Sequence, residues 1–290
     1  MSRRDPPRHA VATDGRLPTF LIIGAPKAGT TSLASYLAAH PDVFVADEKE
    51  IHFFDRYFNF KKGLDWYRGR FRDSGKARAV GEASPTYMYR DLWLDRLEHA
   101  LPDARLVVVL RNPIDRAYSH YWWERTLTER RTFADAAHDE MRPTAETPRR
   151  RRYLEGGRYL ERLEKVCERF PREALLVVVL EDFKSSLDAI YAEVCRHIGV
   201  DDTFRPPHLG AVENQAYALR WEWLRPALYR TRAWRRLPEG MASRLDKLNR
   251  KPMVYSPMDD QLRAELVAYF TEPNRALARW LGRDLSVWNR

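Results

Sequence analysis

The 290-residue sequence predicts an α/β fold, with a mostly parallel central sheet flanked by helices on both faces. Three observations carry that expectation. Phe20–Ile23, Leu106–Leu110 and Leu175–Leu180 are short, continuous, β-prone apolar runs, the pattern of strands buried on both faces. Segments with helical apolar spacing lie between and after them, so strands and helices alternate. The first run also leads into a turn holding Gly24 and Gly29 and then a helix start at Thr30, an order that puts ligands at the carboxyl ends of the strands.

Along the chain, Thr31 to His40 carries Leu33, Tyr36 and Leu37 at helical spacing, and His40-Pro41 stops the helix. Val43–Val45 reads as a short strand, and Ala79–Glu82 as another that leads into Ala83-Ser84-Pro85-Thr86. Leu106–Leu110 ends at Arg111-Asn112-Pro113. A long helix from about Asp115 to Arg130 is expected next, since Pro113 cannot continue a central strand. Residues 139–158 are charge-rich and glycine-broken, with consecutive arginines from Arg149 to Arg152, and read as a loop or lid. Tyr159–Phe170, Leu187–Ile198 and Asp259–Leu281 read as helices, the last one amphipathic. Residues 200–256 look irregular and hold Trp221, Trp223 and Trp234 among arginines between Arg220 and Arg236. The expected organisation is a disordered tail over 1–17 and a single domain over 18–290.

Apolar content of 44% argues against wholesale disorder. Lys and Arg number 50 against 41 Asp and Glu, and the net charge of +9 suits an anionic ligand, polymer or membrane surface without choosing among them. Cys167 and Cys195 have no metal-type spacing and read as buried thiols. Met1–Arg16 has no apolar core, and no aliphatic run is long enough to span a bilayer, so a soluble, cytoplasmic protein is expected.

The most informative stretch is Phe20 to Ser32. A buried strand, a glycine-bearing turn with Lys27, and a helix start at Thr30-Thr31-Ser32 together make an anion cradle, because the first amides of a helix lack intrahelical partners. It is P-loop-like without being a Walker A motif: Lys27 precedes Gly29 instead of following the last glycine.

At this point the sequence resembles a known family. Gly24-Ala-Pro-Lys-Ala-Gly-Thr-Thr-Ser-Leu33 is similar to the 5′-phosphosulfate loop of sulfotransferases that use 3′-phosphoadenosine-5′-phosphosulfate (PAPS). Arg111-Asn-Pro-Ile-Asp-Arg-Ala-Tyr-Ser119 resembles their 3′-phosphate motif. Lys49-Glu-Ile-His-Phe-Phe-Asp55 resembles the catalytic segment of the heparan sulfate sulfotransferase branch and its bacterial relatives; Gly81–Tyr87 and Leu281–Trp288 fit the same branch. The resemblance implies that Lys27, Ala28, Gly29, Thr30, Thr31 and Ser32 hold the 5′-phosphate and that Arg111 and Ser119 hold the 3′-phosphate. It further implies that Lys27 meets charge on the bridging oxygen and that Glu50 is the base. His52, on the same strand parity as Glu50, would orient the acceptor or share the proton, and Asp55 would contact substrate.

Blander readings stand beside these. Glu50 could cap a turn, His52 could be a hydrogen-bonded core histidine, and Arg111 could pair with Asp115. Tyr159 could lie near the nucleotide or simply pack, and the loop closing the 3′-phosphate site could lie near Asn214 or Lys251. The branch carries a lysine after the glutamate of its Glu-Lys-Ser/Thr-Pro segment. This chain has Ala83 there, which favours a smaller or neutral acceptor over a polyanion.

The implied reaction moves a sulfuryl group from PAPS to a hydroxyl of a carbohydrate, lipid or secondary metabolite by in-line displacement, with no metal. Nucleic acid is not an expected partner, peripheral membrane contact stays open, and oligomeric state is not readable. Two other classes compete. A kinase or NTPase using Mg-ATP would explain Glu181-Asp182 after the third apolar run as metal-holding carboxylates. A basic nucleic-acid or membrane-surface binding module would use the Trp/Arg stretch.

Overall fold

Five short segments of the computed structural model run side by side, all parallel: β1 (Phe20–Gly24), β2 (Val43–Val45), β3 (Ala79–Ala83), β4 (Arg105–Leu110) and β5 (Leu175–Val179), in the order β2-β3-β1-β4-β5. Described are residues 15–48, 50–143, 153–211, 217–221, 241–252 and 255–289. β1, β3 and β4 are buried almost throughout, which is why they read as unbroken apolar runs rather than alternating ones.

The crossovers are α1 (Thr30–Ala38) after β1, then two short helices, α2 (Tyr57–Phe60) and α3 (Leu64–Arg68), and after β3 α4 (Asp91–Ala100). After β4 come α5 (Pro113–Arg125), α6 (Phe133–Met141) and α7 (Tyr159–Cys167), and after β5 α8 (Phe183–Ile198). The remaining described elements are β6 (Tyr217–Leu219), α9 (Met241–Leu248), β7 (Arg250–Pro252) and α10 (Asp260–Leu281). The main core joins the sheet to α1, α4, α7 and α8. A second apolar cluster joins α5 and α6 to α10 through Ile114, Tyr121, Phe133, Leu266 and Phe270.

Several boundaries differ from expectation for identifiable reasons. α5 begins at Pro113, the favoured first position, with the Asn112 side chain accepting from the Ile114 amide at 2.9 Å. It ends at Arg125 instead of Arg130. Past that point the amides of Thr126 and Leu127 tighten onto the carbonyls of Trp123 at 3.1 Å and Glu124 at 2.9 Å, and the Glu129 carboxylate then takes the amides of Arg130 at 2.8 Å and Arg131 at 3.0 Å. The expected loop over 139–158 is helical at its start, in α6, and 153–157 form a turn. Residues 144–152, with Arg149–Arg152, lie outside the described residues. Residues 200–256 are not wholly irregular, since β6 and β7 pair antiparallel; Asn214, Trp223 and Trp234 lie outside the described residues. Within the expected tail, Arg16 donates to the Ala77 carbonyl at 2.7 Å and Leu17 packs on the core. Cys167 and Cys195 are both free thiols, the second buried.

Candidate active site

The sheet brings the sequence motifs together at one edge. Ile22 pairs in register with Ala83 on one side and Val107 on the other, so the segments leaving β1, β3 and β4 emerge side by side at their carboxyl ends. From β1 the chain enters the cradle, and the Ala25 amide donates to the Val109 carbonyl at 2.8 Å. Gly29 holds φ of +89°, and a Cβ on it would meet Leu180 Cδ1 at 2.7 Å, so both conformation and space call for glycine. No side chain caps α1, and its first turn has no acidic residue, which leaves the positive end of the helix dipole facing the loop. Ala28, Thr30 and Ser32 are buried and Thr31 is half-buried. Lys27 has φ of +69°, a left-handed conformation unusual for a side-chain-bearing residue. Its ammonium lies 5.9 Å from the Trp123 ring centroid.

Arg111 follows β4. Its guanidinium donates to the Lys27 carbonyl at 3.1 Å, so the two proposed phosphate motifs touch. The Asp115 alternative is not realised, because Asp115 pairs with Arg263 of α10 at 2.6 Å. Tyr159 is buried and its hydroxyl donates to the Arg111 carbonyl at 2.8 Å, a packing role that also fixes the arginine's backbone. Ser119 is buried in the second turn of α5. Glu181 accepts from the Asn112 amide at 2.8 Å and from Trp288 Nε1 at 3.0 Å, while Asp182 pairs with Arg283 at 2.6 Å. The carboxylates that resemble a metal-holding pair are thus engaged in tying the carboxyl-terminal segment behind Arg111.

Glu50, His52 and Asp55 form one hydrogen-bonded row. His52 Nε2 is 3.2 Å from Glu50 Oε2 and its Nδ1 is 2.8 Å from Asp55 Oδ2. The expected strand parity is not the reason. Residues 50–52 form no strand, and His52 has φ of +52°, so the turn itself folds the imidazole back between the two carboxylates. The Glu50 side chain is 39% exposed, whereas His52 and Asp55 are 11% and 7% exposed; the outermost group of the row faces solvent. Asp55 is therefore turned inward toward His52 and Thr86, whose hydroxyl donates to it at 2.5 Å. Burial by itself would lower the His52 pKa, but its hydrogen bonds to Asp55 and Glu50 outweigh this and raise it to about 9. Burial likewise opposes the Asp55 charge, yet the bonds from His52 and Thr86 hold its carboxyl below the ordinary range. These shifts keep the His52 ring charged and the Asp55 carboxyl ionised at neutral pH.

What holds this row is a residue whose role was not read from the sequence. Glu82 of β3 is fully buried and accepts from Tyr67 at 2.7 Å, Tyr87 at 3.0 Å, Ser84 at 2.6 Å and the Ile51 amide at 3.2 Å. Ser84 Oγ in turn takes the His52 amide at 3.1 Å and the Tyr87 hydroxyl takes the Phe53 amide at 2.8 Å. Burial raises the Glu82 pKa despite these donors. The signal was present: a glutamate inside the otherwise apolar Ala79–Ala83 strand needs dedicated partners. Among the described residues no cluster of metal-ligating type was found, and no helix is long and apolar enough to cross a membrane.

The same fold is found in known proteins. The chain is 27% identical to a sulfotransferase from Alicyclobacillus acidocaldarius of known crystal structure, with a TM-score of 0.70 over 95% of this chain and all of that one. It is 28% identical to mouse bifunctional heparan sulfate N-deacetylase/N-sulfotransferase 3 over 96% of its own length, and spans 32% of that relative. It is also 26% identical to the membrane-associated sulfotransferase kil1 of Dictyostelium discoideum, over 99% of this chain and 70% of that protein. Residues 17–213 match the family model of the sulfotransferase domain, and the chain belongs to that family.

Proposed function

We propose that the protein transfers a sulfuryl group from PAPS to a hydroxyl of a carbohydrate, lipid or secondary-metabolite acceptor. The observation that carries this reading is the contact between the cradle and Arg111: a helix start and a guanidinium meet at the carboxyl ends of β1 and β4, and Glu50, its side chain part-exposed, precedes the segment tied to the neighbouring β3. A donor with separate 5′- and 3′-phosphates fits such a pair, and the uncapped, acid-free start of α1 fits its 5′ end. The committed carboxylates Glu181 and Asp182 weigh against the kinase alternative.

Bound PAPS would supply an activated sulfuryl group and leave as 3′-phosphoadenosine-5′-phosphate (PAP). The amides and hydroxyls of residues 28–32 would hold the 5′-phosphate, and Arg111 with Ser119 the 3′-phosphate. Lys27 would stabilise negative charge growing on the oxygen that loses sulfur. Glu50 would take the acceptor's proton, oriented by the His52 imidazolium that Asp55 and Thr86 hold in place. The heparan relatives' names point to glycan acceptors, while Ala83 at the lysine position of that branch points to a smaller or neutral one.

Calorimetry with PAP and ADP on wild type and Arg111→Ala tests the donor. PAP should bind far more tightly than ADP, and the variant should lose about 30-fold or more in PAP affinity, the loss typical of truncating a charge-assisted contact. Equal binding of PAP and ADP by the wild type would refute the assignment.

A further inference from the structure

Beside the catalytic row stands a surface that sulfuryl transfer does not use. Residues 56–72 contain six cationic residues, Arg56, Lys61, Lys62, Arg68, Arg70 and Arg72, against one acidic residue, Asp65. At its tip, on the one-turn helix α2, Phe58 is 80% exposed and Tyr57 is 56% exposed. A lone exposed aromatic would need no explanation. Here two adjacent rings, edge to face at 5.7 Å, project from a cationic collar.

The collar's geometry narrows the partner. Lys61 lies over Tyr57 at 4.6 Å, Lys62 over Trp66 at 4.0 Å, and Arg96 over Phe60 at 3.9 Å. Each of these rings has a face already covered by a cation, which disfavours the stacking on which aromatic sugar sites depend. Phe58, with four-fifths of its surface in water, stands proud of the protein instead of lining the concavity that a small ligand needs. A projecting apolar tip on a segment rich in Lys and Arg, of which Arg70 pairs with Glu48 at 3.5 Å, matches a lipid–water boundary: the Phe58 ring enters the acyl edge and the cations meet anionic headgroups. The tip is also fixed to the site. Asn59 of α2 donates from Nδ2 to the carbonyls of Ile51 at 2.9 Å and His52 at 3.4 Å.

We infer that the Arg56–Arg72 surface docks on an anionic bilayer, with Phe58 inserted, and holds the Glu50 mouth at the membrane surface. This goes beyond the transfer reaction, and its test needs no activity. The full chain is sedimented with vesicles of phosphatidylcholine alone or enriched in phosphatidylserine. Expected is salt-sensitive pelleting with the anionic vesicles only. Phe58→Ala should weaken it about tenfold, Phe58→Trp should retain it, and the double change Lys61→Glu, Lys62→Glu should abolish it. All are exposed positions, so thermal unfolding should match wild type. Absence of pelleting with anionic vesicles, or equal pelleting of Phe58→Ala, overturns the inference. Binding of a soluble sulfated oligosaccharide that needs Lys61 and Lys62 but not Phe58, without vesicle binding, would make this a glycan surface instead.

Discussion

The two halves of the candidate site are held by different means. The cradle is chiefly a backbone object: its shape comes from the end of β1, the positive φ of Gly29 and the start of α1, with the Arg111 guanidinium on the Lys27 carbonyl and Leu180 packed beside Gly29. The proposed catalytic row is a side-chain object. Residues 51–53 hang from Glu82, Ser84 and Tyr87 through hydrogen bonds between segments 31 to 34 residues apart. A helix terminus offers its amides to any anion, whereas a base must be aimed at one proton. The general lesson is that binding can be built from local geometry, but orientation needs a buried network.

Substitutions can break that contrast or sharpen it. The largest effect is expected from Glu50→Gln, which should lower turnover about 10²- to 10⁴-fold while PAP affinity, measured by calorimetry, stays as in wild type. Near-normal turnover would remove Glu50 from the base role.

Next in size is Glu82→Ala. It strands two tyrosine hydroxyls, a serine hydroxyl and an amide in a site with no access to water, and should destabilise the fold by about 3–5 kcal/mol in urea titration. Its counterpart in the cradle, Gly29→Ala, should lose less, about 1–3 kcal/mol, from forcing an alanine to positive φ and displacing the Leu180 methyl its Cβ would meet, and its functional loss should fall on PAP affinity. If the two variants lose similar stability and similar PAP affinity, the division of labour between the halves is wrong.

The smallest effect is a shift in pH dependence. The His52 pKa of about 9 in the folded chain lies above its ordinary 6.5. Its bridging contribution is therefore complete below pH 6.5 and is lost as pH rises through 9. Activity should fall on an alkaline limb near pH 9, where the neutral ring can no longer donate to both carboxylates. Asp55→Asn removes the strongest of the interactions that raise this pKa, so the limb should move to lower pH. An unmoved limb would assign it to another group.

Much of the fold was legible because its signals are local. Buried parallel strands announce themselves as apolar runs, and a glycine-bearing turn before a helix announces a cradle. The match between β1, β3, β4 and β5 and the predicted runs follows from that. The misjudged features are those decided by hydrogen bonds that the apolar pattern does not carry. α5 stops early as the amides of Thr126 and Leu127 tighten onto nearer carbonyls and the Glu129 carboxylate takes those of Arg130 and Arg131, and the pairing of β6 with β7 joins segments that show no strand signal alone. At the site, Glu50 and His52 were identified by resemblance, but the expected reason for their proximity was wrong. The left-handed turn at His52 unites them, and no strand does. Glu82 was visible only as an oddity in an apolar strand.

The sequence by itself determined the parallel sheet, the cradle between Gly24 and Ser32, and the placement of Arg111 at a strand end, because each depends on neighbours a few residues away. Only the tertiary structure decided which partners the polar groups take. Arg111 turns to the Lys27 carbonyl, 84 residues away in sequence, while Asp115 turns to Arg263, 148 residues away. Asp55 faces inward to charge His52, and Glu82 gathers four donors. The physical reason is that a hydrogen bond is decided over about 3 Å and grows stronger as water is excluded. Neither that distance nor that exclusion is written in the local order of residues.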